Sequence, residues 1–166
     1  SQLNVNRKMK KRKKLITAAA AALAAVTVFT YIAIETEDWV VTSDRIPEAF
    51  DGLRIALLAD FHGVELGENN RRLLAAVAQS QPDLIAISGD LVHQNSDLAM
   101  LPPLLSGLTA IAPTYFVTGN HEWGSHQTKA CVDVFSDCGV VCLENEYVPI
   151  TRDEDTVFLA GIHDPN

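Results

Sequence analysis

Apolar positions in this chain fall into one long run followed by a series of short ones. Residues 15–34 are 20 positions with no charged side chain, rich in alanine, valine and isoleucine. A helix of that length is about 30 Å long, the thickness of a bilayer's hydrocarbon core. Seven basic residues precede it (Arg7, Lys8, Lys10, Lys11, Arg12, Lys13, Lys14), Tyr31 sits near its far end, and Glu35, Glu37 and Asp38 follow. The pattern predicts a single-pass transmembrane signal-anchor, with residues 1–14 a basic cytoplasmic N-terminus and everything after Glu35 extracytoplasmic. Two other readings are a cleaved signal peptide ending near Ala22-Leu23-Ala24 and a buried helix of a soluble protein. The first still exports the body; the second is disfavoured because the run has no polar face.

Beyond the run the period changes and then alternates. Residues 35–52 read as a linker, with a short strand and turn over 38–47, and residues 53–166 as the working domain. Residues 53–59 are a nearly continuous apolar run of strand length, which fits a strand buried on both faces. Residues 68–79 follow with helical spacing, Leu73, Leu74 and Val77 on one side and Arg71 and Arg72 elsewhere, until Pro82-Asp83 breaks the pattern. A strand at 84–88, a helix at 97–109 disturbed by Pro102-Pro103, and a strand at 114–118 come next. A helix over 125–137 closes at Cys138-Gly139, a common helix stop. Three short strands end the series, at 140–143, 147–151 and 156–160. Strands alternating with helices predict an α/β layer fold with a largely parallel core, and the close spacing of the last strands predicts antiparallel pairing there.

Charge and composition narrow the function. The formal charge of −8 averages two unlike parts: after the basic N-terminus the remaining residues carry six basic against 21 acidic side chains, a net of −15. So acidic a body repels phosphate backbones, which excludes a general nucleic-acid binder. It can hold phosphate only where something local reverses the sign, as a metal ion does. With 48% hydrophobic residues the chain is not bulk-disordered. Three cysteines make no disulfide framework at this length. Cys131, Cys138 and Cys142 read as free thiols packed as small hydrophobes, with a disulfide from Cys142 to one of the others as the alternative in an exported domain.

The chemistry collects where strands end. After Ala59 comes Asp60-Phe61-His62, after Ser88 comes Gly89-Asp90, and after Thr118 comes Gly119-Asn120-His121-Glu122. In open α/β sheets ligands bind at the carboxyl ends of strands. Parallel neighbours would bring these loops to one edge. Each fragment alone is ordinary: a carboxylate after a strand is often a helix cap, and Gly-Asp a turn. Together they offer carboxylate, imidazole and amide oxygen, a set suited to borderline divalent ions such as Mn, Fe or Zn.

In this set and order the motifs D-x-H, G-D and G-N-H-D/E resemble those of the calcineurin-like metallophosphoesterases. The lead-in Pro47-x-x-Phe50-Asp51-Gly52-Leu53-Arg54-Ile55 after an apolar segment is similar to the membrane-associated bacterial phosphodiesterase branch. The resemblance implies a layered metallophosphoesterase-like sheet sandwich flanked by helices. It also implies hydrolysis of a phosphoester, with a phosphodiester foremost and a lipid-linked or cell-envelope one in view of the membrane. Two divalent ions would be held by Asp60 and His62 on one side and Asn120 on the other, with Asp90 bridging. His121 would be a non-ligand catalytic imidazole over the scissile phosphate, and metal-bound hydroxide the nucleophile. The family completes its site with a later His and a Gly-His-x-His motif, neither of which occurs here. The chain therefore reads as the N-terminal part of such a domain, expected to be a poor enzyme alone.

Other polar residues take plainer roles. His93 and His126 read as solvated loop positions, His163 as a non-ligand, Arg71 and Arg72 as solvated, Glu122 as a loop support, and Trp123 as a pocket wall or packing residue. The alternative functions are a non-catalytic exported domain with an incomplete metal site that binds a phosphorylated ligand or partner, and a one-metal module using Asp60, His62 and Asp90 alone. Oligomeric state is not encoded in any pattern.

Overall fold

The computed structural model describes residues 12–24, 34–92, 98–124 and 128–162. Ser1–Glu35 and Thr36–Asn166 form two compact units. In the first, residues 12–24 are helical (α1), and 25–33 lie outside the described residues.

The transmembrane expectation is corrected here. Among the described residues no helix is long and apolar enough to cross a membrane. The described part of α1 spans roughly 20 Å against the ~30 Å of a bilayer core, and it opens with Arg12, Lys13 and Lys14. The membrane anchor, the membrane as a partner, the single-pass topology with an extracytoplasmic domain, and membership of the membrane-associated branch all rested on that span and fall with it.

The second unit is built on a four-stranded sheet in the order β1-β2-β3-β4. Its strands are β1 (Ile55–Leu58), β2 (Leu84–Ser88), β3 (Thr114–Val117) and β4 (Val141–Cys142), and every neighbouring pair is parallel. The connections carry helices, as parallel pairs require: α2 (Arg71–Ser80), α3 (Leu101–Ile111), and then α4 (Asn120–Gly124) with α5 (Thr128–Asp137). Leu101, Leu104, Leu105 and Leu108 recur at helical spacing and are fully buried on α3, which packs between α2 and α5. Pro102 and Pro103 do not disturb this helix. They sit in its first turn, where a missing N–H costs nothing. On α5, Phe135 stacks on Phe116 of β3 with ring centroids 4.0 Å apart, joining helix layer to sheet. That helix stops as expected at Cys138-Gly139, with Gly139 N–H donating to Ser136 O and Val140 N–H to Phe135 O.

A separate antiparallel hairpin, β5 (Glu146–Arg152) and β6 (Asp155–Gly161), follows. Arg152 ties it back to the sheet through a 2.8 Å ion pair with Asp83, whose other oxygen accepts from Arg54 N–H at 2.8 Å. Leu159 and Ala160 line a shallow cavity with Ala86, Tyr115 and Val117.

Two expectations about strands are revised. β1 is not buried on both faces: Ile55 is 52% and Leu57 66% exposed. It is an edge strand, whereas Leu159 and Ala160 of the hairpin line a cavity with residues of β2 and β3. Residues 38–47 form no strand. Trp39, Val40 and Val41 are exposed, and with no neighbouring strand to pair with, their β-favouring side chains have nothing to pack against.

Candidate metal centre

The parallel order puts the carboxyl ends of β1, β2 and β3 side by side, so the three loops that follow share one edge. Hydrogen bonds then lock loop to loop. His62 N–H donates to Asp90 O and Gly63 N–H to Leu91 O, both at 2.9 Å, joining the first loop to the second. His121 N–H donates to Asp90 Oδ1 at 2.9 Å, joining the second to the third. The Asn120 amide also faces this carboxylate. With its nitrogen on that side it donates to Oδ1 at 3.3 Å and Oδ2 at 3.0 Å, which leaves its oxygen on the far side of the amide.

Glu122 lies beneath these loops and is fully buried. Its Oε2 accepts from Asp90 N–H and Gly119 N–H, each at 2.8 Å, and its Oε1 from Val92 N–H at 3.1 Å. Two further bonds frame the third loop: Trp123 Nε1 donates to Thr118 Oγ1 at 3.0 Å, and Thr128 Oγ1 to Glu122 O at 2.9 Å. The region α4 was read as loop, and it is instead a short helix beginning at Asn120.

On the outer side His62, Asp90 and His121 each offer a ligand atom, all within 4.8 Å of one another. The two imidazoles meet edge to face, with centroids 4.6 Å apart and planes at 73°. Asp60 Oδ1 is 3.9 Å from His62 Nε2, while the Asp60 side chain is 77% exposed at the rim. Asp60, His62 and Asp90 all hold left-handed backbone, at φ 53°, 49° and 53°. Such conformations cost roughly 1–3 kcal/mol each and cluster where function demands them. Asn69, Asn70, Gln81, Asn145 and Asp153 share the conformation away from the site, so it marks tight turns in general rather than the site alone.

The donor set fits a divalent ion. Ligand atoms sharing one such ion at about 2.0–2.2 Å cannot be more than ~4.4 Å apart, so a 4.8 Å spread needs only a small closure. Imidazole with carboxylate suits the borderline metals. The cradle is tight as well. A Cβ on Gly119 would collide with Asp90 Oδ1, and one on Gly89 (φ 81°) would come within 2.6 Å of Gly119 Cα. Gly119→Ala is accordingly expected to displace the Asp90 carboxylate and weaken Mn²⁺ binding about 10–100-fold, as loss of an orienting partner does. Titration calorimetry checks this, and an unchanged affinity would refute the cradle.

His121, expected as a non-ligand imidazole, lies beside His62 and Asp90, with a ring nitrogen within 4.8 Å of an atom on each. His93, His126 and His163 lie outside the described residues. Cys131, Cys138 and Cys142 are free thiols, without the alternative disulfide. Burial pushes the Cys131 thiol up to about 12, with the charges of Glu122 and Cys142 adding to it. Burial likewise raises Cys142, against a hydrogen bond from Ser136 that lowers it. Raised thiols are poor nucleophiles and poor metal ligands, and none joins the site.

Compared with known families, residues 53–163 match the model of the calcineurin-like phosphoesterases. The chain belongs to that family. A "Transmembrane protein with metallophosphoesterase domain" of Danio rerio is 30% identical over 135 residues, covering 76% of this chain and 30% of that protein. Its counterpart in Bos taurus is 31% identical over 131 residues, covering 72% and 29%. The uncharacterized metallophosphoesterase YkuE of Bacillus subtilis is 27% identical over 139 residues, covering 79% and 48%. This calcineurin-like phosphoesterase chain thus spans between 29% and 48% of the length of these relatives.

Proposed function

We propose that this site serves metal-dependent hydrolysis of phosphodiesters through two divalent ions. The observation that carries the reading is the convergence of three strand-end loops on Asp90, with the imidazoles of His62 and His121 beside it. Asp60 and His62 would hold one ion, Asn120 the other through its amide oxygen, and Asp90 would reach both. When bound, such ions supply Lewis-acid charge and a water of lowered pKa.

The chain's own residues do the rest. Asp90 is anchored through its backbone and one carboxylate oxygen, which fixes where its carboxylate sits at the edge of the sheet. His121 is held by its N–H on Asp90 at the mouth of the site, where an imidazole can donate a proton to a departing alkoxide oxygen or stabilise charge on the phosphoryl group. The acidic body favours a diester substrate, because a singly charged phosphodiester meets less repulsion than a doubly charged monoester.

The complete natural protein tests this with bis(p-nitrophenyl) phosphate and p-nitrophenyl phosphate. Hydrolysis of the diester is expected to require Mn²⁺, Fe²⁺ or Zn²⁺, to exceed that of the monoester, and to stop with chelator. No hydrolysis with any of these ions, or a rate indifferent to chelator, would overturn the reading.

A further inference from the structure

We propose that Glu122 is a positioning residue which sets the metal affinity of the site by holding two ligand-bearing loops in register. The inference rests on the metal-centre reading above and adds to it a residue buried beneath the ligand-bearing loops.

A carboxylate with no exposed surface is a costly group to keep in a fold. An apolar side chain would fill the same space without that cost. Among the described residues the carboxylate accepts from three backbone donors, and their identity is informative. They are the backbone N–H groups of Asp90, Val92 and Gly119, lying 32, 30 and 3 residues from Glu122 in sequence. Asp90 is the residue on which the loops converge, and Val92 extends its loop. Gly119 opens the turn into α4, so fixing its N–H fixes where Asn120 and His121 begin.

The bonds close a circuit. Glu122 grips Asp90 from below through the backbone, and Asp90 Oδ1 in turn accepts from His121 N–H, one residue before Glu122. Shifting either loop along the sheet edge breaks bonds at both ends of the circuit at once. Backbone N–H groups from two loops thus turn toward one anion. Held by these bonds, Asp90 has left-handed backbone at φ 53°. Partners that orient a ligand in this way typically govern metal affinity by 10–100-fold when removed.

Glu122→Gln separates the roles. It keeps the size of the side chain but turns one acceptor into an amide donor facing a backbone N–H. Mn²⁺ titrated calorimetrically into the chain is expected to bind Glu122→Gln about 10–100-fold more weakly than wild type. Leu104→Ala, in the buried face of α3, controls for general loosening and is expected to lower the melting temperature while leaving Mn²⁺ affinity unchanged. Equal Mn²⁺ affinity in wild type and a folded Glu122→Gln overturns the proposal, as does an equal loss in Leu104→Ala. Should Glu122→Gln not fold, hydrogen exchange on the metal-free wild type decides. Slow exchange at the Asp90, Val92 and Gly119 amides supports the clasp, and exchange as fast as in exposed loops overturns it. A wild type that binds no Mn²⁺ overturns the metal centre itself, an outcome distinct from a wild type that binds and a Glu122→Gln that binds equally well.

Discussion

Asp90→Ala is expected to abolish measurable Mn²⁺ binding and to lower phosphodiester hydrolysis by the complete protein by about 10³-fold or more. Among the described residues, hydrogen bonds from all three loops meet at Asp90. His62 N–H bonds its carbonyl, Glu122 accepts from its N–H, and His121 N–H and the Asn120 amide reach its carboxylate. Alanine removes the carboxylate donor and also the acceptor that orients His121. Loss of ion-derived transition-state stabilisation is worth several kcal/mol, and each 1.36 kcal/mol is about tenfold in rate. The backbone bonds survive the substitution, so circular dichroism should remain that of the wild type. Steady-state kinetics beside calorimetry checks both parts, and activity within tenfold of wild type would remove Asp90 from the centre of the site.

Phe135→Ala carries the largest expected cost in stability. Phe135 is fully buried on α5 and stacks on Phe116 of β3 at 27° between planes. Truncation leaves a cavity that the crowded helix–sheet seam cannot close, and such changes cost about 3–5 kcal/mol. Against a total of roughly 5–15 kcal/mol for a domain, that is a large share. Urea unfolding should show a lower midpoint with an unchanged slope. Phe135→Leu should lose far less, since it keeps most of the volume. A midpoint for Phe135→Ala within error of wild type would mean that the stack does not join the layers.

The elements that were legible in the sequence are those whose pattern is local. Leu84 to Ser88 is a run of apolar side chains bounded by Pro82-Asp83 and Gly89-Asp90, and it is a strand to the residue. The helix stop at Gly139 was equally plain, because a left-handed residue after a helix is a local backbone requirement. What depended on neighbours was not readable. The exposure of Ile55 and Leu57 follows from β1 lying at the sheet edge, a matter of strand order that an apolar run does not encode. Pro102 and Pro103 looked disruptive until the helix was seen to begin at Leu101. The apolar run at 15–34 has the length of a membrane span by composition, yet among the described residues no helix is long and apolar enough to cross a membrane.

The site divides along the same line. Asp60, His62, Asp90, Asn120 and His121 were visible because each follows a strand, and parallel strands end at a common edge. The approach of His121 to His62, the left-handed backbone at three site residues and the three bonds into Glu122 were not visible. They are set by loop geometry on the scale of a few ångströms, which residue spacing does not resolve.

The central claim is that these loops form a divalent-metal site, and anomalous scattering at the zinc edge tests it most directly. Crystals grown with Zn²⁺ are expected to show an anomalous peak about 2.0–2.2 Å from Asp90 oxygen and imidazole nitrogen. A peak only at surface carboxylates, with none beside Asp90, would contradict the account.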